Sequence, residues 1–247
     1  MSRKSPRALV AGAAAAIAAV VVLALGAATH GFKPSLAEVP ITTSTLAAST
    51  GAAPQVPGHR LRATLVALLV DPVDGSAAAV VRVANPDARR AIAHALIATD
   101  LVDRAGSVVG TSAAAGTDPL LVHVAYVGPG QSVLFVSDTI AASAAPSTAR
   151  VSATGLFSAR RPAHVAVSRP RLHRGAFGWV ATATLHGSST GPPRKVLVEA
   201  VVRRDRGIVA AGTAIAPAPR PDRPADVDIF LTGDAEGGEA SVWTAGP

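Results

Sequence analysis

Apolar and polar residues alternate with a period of two in residues 91–102 and again in residues 195–203. This period is typical of a β-strand that is buried on one face. Each run reaches an Asp-Arg pair followed by glycine, and then returns through a short apolar stretch that ends in Gly-Thr. Asp bonds to nearby backbone and Gly accepts a positive φ, so both favour a tight turn. The pattern predicts two β-hairpins, at residues 91–111 and 194–213.

Further apolar segments surround both hairpins in the same order. One strand is predicted before each hairpin, a strand with Phe135 or Phe230 after it, and a closing strand at the end of each copy. This order predicts a duplicated unit, although chance similarity in an Ala- and Val-rich chain is the alternative. Many short strands separated by turns are typical of β-sandwiches. We therefore predict an all-β fold with two tandem β-sandwich domains, residues 59–156 and 157–247. The run Arg60–Val70 opens the first domain as a strand or a short helix.

The N-terminal region has a different pattern. Residues 1–7 form a basic tail, and residues 8–28 contain no charged side chain. A helix of ~20 apolar residues can cross a bilayer, whereas the apolar core of a signal peptide is ~7–15 residues long. Length favours an uncleaved transmembrane anchor. The small residues at positions 26–28 leave a cleaved signal sequence as an alternative, and a buried soluble helix is a third.

The basic tail also predicts the orientation of this segment. Positively charged flanks remain in the cytoplasm, so the rest of the chain is expected outside the cell membrane, either anchored by one span or secreted after cleavage. Residues 29–58 are rich in Ser, Thr, Ala and Pro and carry few charges. Such a composition buries too little apolar surface to fold. It predicts a flexible spacer between the membrane and the first domain.

Composition limits the chemistry that the chain can perform. The sequence has no cysteine, which excludes disulfides, a thiolate nucleophile and Cys-ligated zinc. Aromatic residues make up only 3% of the chain, so the cores are expected to consist of Ala, Val and Leu. Trp179, Phe230 and Trp243 are the expected large side chains in the core of the second domain.

The formal net charge is +7, and the excess lies in the N-terminal tail and in the second predicted domain. Outside a cell, a basic patch would meet anionic lipid or wall polymer. Single-stranded nucleic acid is not an expected partner because the region lacks the aromatic platforms on which bases stack. A solvated face of mixed charge is the alternative interpretation. The candidate residues for an anionic surface are Arg169, Arg171, Arg174, Arg203, Arg204 and Arg206.

No catalytic, cofactor or metal site is predicted. Residues 187–191 match the spacing of a nucleophile elbow around Ser189, but two prolines and a strand pattern follow where that motif requires a helix. The seven histidines lack paired helical spacing; His94 and His123 lie in predicted strands and could meet in space. The aspartate pairs at positions 71/74 and 226/228 offer fewer oxygen ligands than a calcium loop supplies. Turn formation explains the first pair, and a solvent-exposed strand face explains the second.

The first predicted domain resembles a known family. Its motif residues are Asn85, Thr99–Asp103, Gly106, Val108–Gly110, Pro129–Gly130 and Phe135. In this order they resemble the FxLYD-type domain, a small immunoglobulin-like bacterial β-sandwich. Thr99 replaces the Phe of the named motif and Val102 replaces its Tyr, and the second copy retains only Asp205. The resemblance covers less than a quarter of the chain; it implies an immunoglobulin-like fold for the tandem domains and brings no catalytic residue.

These observations predict a non-enzymatic protein of the bacterial envelope, anchored through residues 8–28 and exposed on the outer side of the membrane. Its role would be structural or the binding of another envelope protein. The alternative is a binding module in which the basic second domain contacts an anionic wall polymer or a lipid surface.

Overall fold

The computed structural model describes residues 58–71, 75–114, 116–158, 165–187 and 195–245. These residues form β-strands and one 3₁₀ turn, Pro119–Val122, and no α-helix. The strands are β1 (His59–Val70), β2 (Ala77–Ala84), β3 (Ala91–Val102), β4 (Val108–Thr111), β5 (His123–Val127), β6 (Ser132–Ile140), β7 (Thr148–Ser158), β8 (Val165–Val167), β9 (Arg171–Gly175), β10 (Gly178–Gly187), β11 (Lys195–Arg204), β12 (Gly207–Pro217), β13 (Ala225–Gly233) and β14 (Glu239–Thr244).

The predicted all-β fold and both predicted hairpins are confirmed. β3 pairs with β4, and β11 pairs with β12, in antiparallel ladders. Gly106 has the expected positive φ of 86° in the first turn, whereas in the second turn Asp205 and not Gly207 has the positive φ, 56°. The first apolar run, for which strand and helix were both open, is the strand β1. The predicted tail, the predicted membrane segment and all of the predicted spacer except Gly58 lie outside the described residues. Within the described ranges, no helix has the length and hydropathy of a membrane span.

The strands form two sheets of seven. Their orders are β4-β3-β7-β1-β2-β6 with β5 beside β3, and β14-β11-β12-β13-β10-β8 with β9 beside β10. The pairing scheme is the same in both. The first strand of each hairpin pairs with the closing strand (β3 with β7, β11 with β14), and the strand before the hairpin pairs with the one after it (β2 with β6, β10 with β13). The sheets differ in how these two groups are joined, through β1 and β7 in one and β12 and β13 in the other.

Each sheet supplies most of one apolar core. Every second residue of a strand faces the core because successive side chains of a strand point to opposite faces. In β3 these residues include Ala95 and Ile97, which pack with Phe135 of β6. In β11 they include Val198 and Ala200, which pack with Ile229 of β13. The chain thus builds two cores almost entirely from small aliphatic side chains, as the composition predicts.

A third apolar cluster joins the two sheets. Ala78, Val80 and Val136 on β2 and β6 pack against Val201 and Ala211 on β11 and β12. These side chains lie on the strand faces opposite to the two cores. As a result, β11 is buried on both faces over seven successive residues. Residues 53–247 form one compact unit, and we call this contact between the sheets the inter-sheet interface.

The repeated Gly-Thr pairs have a packing reason. A Cβ added at Gly212 would lie 1.9 Å from the carbonyl oxygen of Phe230, and one added at Gly110 would lie 2.7 Å from that of Ala141. Neighbouring backbone therefore approaches both glycines more closely than any side chain allows. The glycines that end the two hairpins are required by close approach of a neighbouring segment.

Phe230 is not a core residue, and this prediction was wrong. It is 59% exposed because it shares the solvent face of β13 with Asp226 and Asp228, whereas the alternate residues face the core. Trp179 does pack against the second core. Trp243 instead packs in the inter-sheet interface.

Strand ends and connecting loops contain local features that the sequence pattern does not predict. The closing strand β7 continues to Ser158, two residues beyond the predicted end of the first domain. The segment before β5 contains the 3₁₀ turn, and the side chain of Asp118 caps it by accepting a hydrogen bond from the N–H of Leu120. The short strands β5, β8 and β9 have too few residues for a clear alternation. The proline-rich loop after β12 closes through backbone hydrogen bonds between Arg220 and Arg223.

Candidate anion-binding groove and buried carboxyl groups

The six arginines proposed for an anionic surface fall into two groups along the chain. Arg171 and Arg174 lie on β9, with Arg169 just before it, and all three are exposed. β9 is attached to β10, near one end of the strand order. The other three, Arg203, Arg204 and Arg206, are exposed at the end of β11 and in the turn to β12.

Arg204 is held by the loop between β13 and β14. Its Nη1 lies 3.6 Å from Oδ2 of Asp234 and donates to the carbonyl oxygen of Glu236 at 2.8 Å. The pKa of Asp234 is lowered, chiefly by the hydrogen bond from the Glu236 N–H and further by Arg204. Both partners are exposed, so this pair contributes little to stability. The charge of Arg204 is already paired with that of Asp234. Arg203 and Arg206 are therefore the arginines of this group that are more available to bind an anion.

Arg203 and Arg206 line a groove of about 390 Å³ together with Arg82 of β2. Val66 of β1, Leu134 of β6 and Ile208 of β12 contribute apolar walls. The groove therefore takes residues from both sheets. The sequence pattern does not single out Arg82, because it belongs to the first predicted domain, whose charges balance, and only the packing of the sheets brings it to the other two arginines.

The groove lies at the rim of the inter-sheet interface. Arg82 is on the same face of β2 as Ala78 and Val80, and it is exposed where they are buried. Arg203 follows Val201 by two positions on β11 and is likewise exposed. On both strands the interface face thus changes from buried valines to exposed arginines where the interface meets solvent.

The three arginines of the groove have no anionic partner within the part of the chain that the structure describes. None of them forms an ion pair or a side-chain hydrogen bond there. Asp205 lies between Arg203 and Arg206 in the turn, and Glu239 is the cross-strand neighbour of Arg203, but neither lines the groove. Among the described residues that line the groove, the charged side chains are therefore all positive.

A carboxyl group is buried at the centre of the same interface. Glu199 on β11 has no exposed surface. Its Oε1 accepts a hydrogen bond from the backbone N–H of Val136 at 2.6 Å, and its Oε2 accepts one from Nε1 of Trp243 at 2.8 Å. Burial raises the pKa of Glu199 to about 8, although both hydrogen bonds favour the charged form. At neutral pH this side chain is mostly uncharged.

A second carboxyl group lies nearby. Asp138 on β6 accepts hydrogen bonds from the backbone N–H and the side-chain hydroxyl of Thr213 on β12. Burial raises its pKa as well, and its charge raises the pKa of Glu199 further. Both bonds connect one sheet to the other. A polar signal for this contact is present in the sequence, since Glu199 interrupts an apolar run at a position that faces away from its own core.

The other sequence candidates do not form a site. Ser189 lies outside the described residues, as does Asp74. Nδ1 of His123 is 2.6 Å from the carbonyl oxygen of Pro119, and His94 is exposed on β3 away from it in the register. No group of three or more His, Cys, Asp or Glu side chains in the described ranges is placed to hold a metal ion. The expectation that the Asp226/Asp228 pair occupies a solvent-exposed strand face is confirmed.

Comparison with known proteins gives no further assignment. No protein-family model matches the chain, and neither the curated proteins nor the solved structures contain a significant match.

Proposed function

We propose that the chain is a membrane-anchored, extracytoplasmic protein of the bacterial envelope, with a structural or protein-interaction role and no enzymatic activity. In this proposal each seven-stranded sheet folds back on itself to form one immunoglobulin-like β-sandwich domain, and the two domains form a tandem pair. The main support for a tandem pair is the strand pairing that the two sheets share. In each sheet the first strand of the hairpin pairs with the closing strand, and the strand before the hairpin pairs with the strand after it. Tandem β-sandwiches are frequent in proteins that act by presenting surfaces.

The N-terminal pattern supplies the location in this proposal. Residues 8–28 would cross the membrane after the basic tail, and residues 29–58 would separate the β-domains from the bilayer. At ~3.3 Å per extended residue, such a spacer reaches at most ~100 Å. The expected partner is another envelope protein within this distance.

The location is testable by cysteine labelling, because the chain has no natural cysteine. Ala105→Cys introduces a thiol in the exposed turn between β3 and β4. We expect a membrane-impermeant maleimide to label this variant of the full chain in intact cells, since the turn would face the exterior. The matched variant Ser2→Cys, in the basic tail, should be labelled only after lysis.

The same experiment separates the alternatives. Loss of the Ser2→Cys label together with a mass below the 24.6 kDa of the chain would show a cleaved signal sequence. Labelling of Ala105→Cys only after lysis would contradict the proposed location. A substrate turned over by the purified chain, with activity abolished by Ser189→Ala, would contradict the non-enzymatic role.

A second candidate function is the binding of an anionic wall polymer or lipid surface through the basic second domain. The observation that favours it is the absence of an acidic partner for Arg203 and Arg206 among the described residues. Charges that are exposed and unpaired attract polyanions through forces that salt screens.

For this function we expect the full chain, kept in non-ionic detergent, to be retained on an immobilised glycerol-phosphate polymer. Retention should decrease as NaCl is raised from about 0.05 to about 0.5 M, because the Debye length falls over this range. A matched neutral polymer serves as the control. Equal retention on both polymers, or retention that does not respond to salt, would reject the candidate.

A further inference from the structure

We propose that the groove lined by Arg82, Arg203 and Arg206 binds a phosphate group and that this ligand bridges the two sheets. The inference deepens the second candidate function and rests on it. The proposed site is a single groove and not a general basic surface. One of its arginines belongs to the first sheet and two belong to the second.

The chemistry of the three side chains selects phosphate. A guanidinium group presents several N–H donors in a planar fork that matches pairs of phosphate oxygens. Three arginines offer more donors than one carboxylate can accept, whereas a phosphate group has enough oxygen atoms for several forks. The apolar walls from Val66, Leu134 and Ile208 suit the carbon atoms of a phosphate ester. The ligand class is therefore a phosphate ester, present either in a wall polymer or in a phospholipid headgroup.

The placement of the arginines explains why a ligand would be favoured. Arg82 and Arg203 line the groove from opposite sides of the inter-sheet interface, where the apolar packing ends. Like charges brought together repel, and no acidic side chain lines the groove among the described residues. A bound phosphate changes this repulsion into attraction to one shared anion. Because it contacts both sheets, it stabilises their packing.

The test is calorimetric titration of the full chain in non-ionic detergent. Three probes distinguish the sources of the phosphate: inorganic phosphate, a soluble glycerol-phosphate polymer, and micelles that contain phosphatidylglycerol. We expect the triple variant Arg82→Gln, Arg203→Gln, Arg206→Gln to bind the preferred probe at least about tenfold more weakly, because charge-assisted hydrogen bonds are lost. The matched triple variant Arg169→Gln, Arg171→Gln, Arg174→Gln removes the same charge from β9 and should bind within about twofold of the parent chain.

Arg82→Gln alone provides the decisive comparison. Binding several-fold weaker than that of the parent chain supports the bridging site, since this residue lies in the first sheet. Unchanged binding by this variant, or equal weakening in both triple variants, would overturn the groove and leave a general basic surface as the binding function. Failure of all three probes to bind the parent chain would reject the second candidate function together with the groove. All six arginines are exposed, and far-UV circular dichroism of each variant verifies that the fold is retained.

Discussion

The stability of the folded chain should fall as the pH rises from about 4.5 to about 8, and Glu199 is the cause. Its pKa is raised from 4.5 to about 8 in the folded state, mainly by burial. Well below pH 4.5 the carboxyl group is protonated in both the folded and the unfolded chain. The contribution of this group to the free energy of unfolding is therefore at its maximum there. At higher pH the unfolded chain releases this proton before the folded chain does, and the free energy of unfolding decreases until the folded pKa is passed. The loss amounts to several kcal/mol.

The raised pKa of Asp138 adds to the same slope, since it also results from burial in the interface. Denaturation of the full chain in non-ionic detergent at about pH 5, 7 and 9 measures the effect. In a Trp179→Phe background, fluorescence of Trp243 is a local probe because its Nε1 donates to Glu199.

Glu199→Gln tests the assignment to this residue. The amide cannot ionise, so most of the pH dependence should disappear. The variant should also be about 1–3 kcal/mol less stable than the parent at about pH 5, because the NH₂ group of the amide cannot accept a hydrogen bond from Val136 or Trp243, whereas the hydroxyl oxygen of the protonated acid can. Glu236→Gln, at an exposed turn residue, is the matched control and should retain the full pH dependence. A parental slope in Glu199→Gln would contradict the role of this carboxyl group.

Phe135→Ala should destabilise the chain by about 3–5 kcal/mol. The side chain of Phe135 is fully buried in the core of the first sheet, where it packs with aliphatic residues of β2 and β3. Its removal loses the transfer free energy of the ring and leaves a cavity that strand backbones cannot close easily. Chemical denaturation followed by far-UV circular dichroism measures the change.

Phe230→Ala is the matched control for this substitution. Phe230 is 59% exposed, so the same change of side chain should alter the free energy of unfolding by less than about 1 kcal/mol. The contrast between two phenylalanines on corresponding strands is the expected result. A large destabilisation at Phe230 together with a small one at Phe135 would show that the two side chains have been assigned to the wrong faces.

The sequence contains most of the information for the individual strands. Period-two alternation and the Asp-Arg-Gly turns predict both hairpins, because these signals arise from neighbouring residues. Phe230 shows where composition misleads, since its size suggests a core position, whereas the alternation with Asp226 and Asp228 places it in solvent. Local pattern is the better guide where the two disagree.

The candidate site is less predictable for a physical reason. Arg203 and Arg206 are visible as part of a basic turn, but Arg82 joins them only through packing between two sheets. The contact of Glu199 with Val136 and Trp243 likewise depends on segments distant in the chain. The spacing of residues within one strand cannot predict contacts between residues of different sheets.

The inter-sheet interface brings together two different outer faces of the sheets. It joins the outer face of β2 and β6 to the outer face of β11 and β12, so the two partners use non-equivalent surfaces. Head-to-tail contacts of this kind do not close by symmetry and permit growth into filaments. The corresponding outer face of β13, however, carries Asp226 and Asp228, whereas β6 presents Leu134 and Val136. Burying these two aspartates against another copy would require their desolvation, so we expect this face of β13, which also carries the exposed Phe230, to disfavour continuation of such contacts.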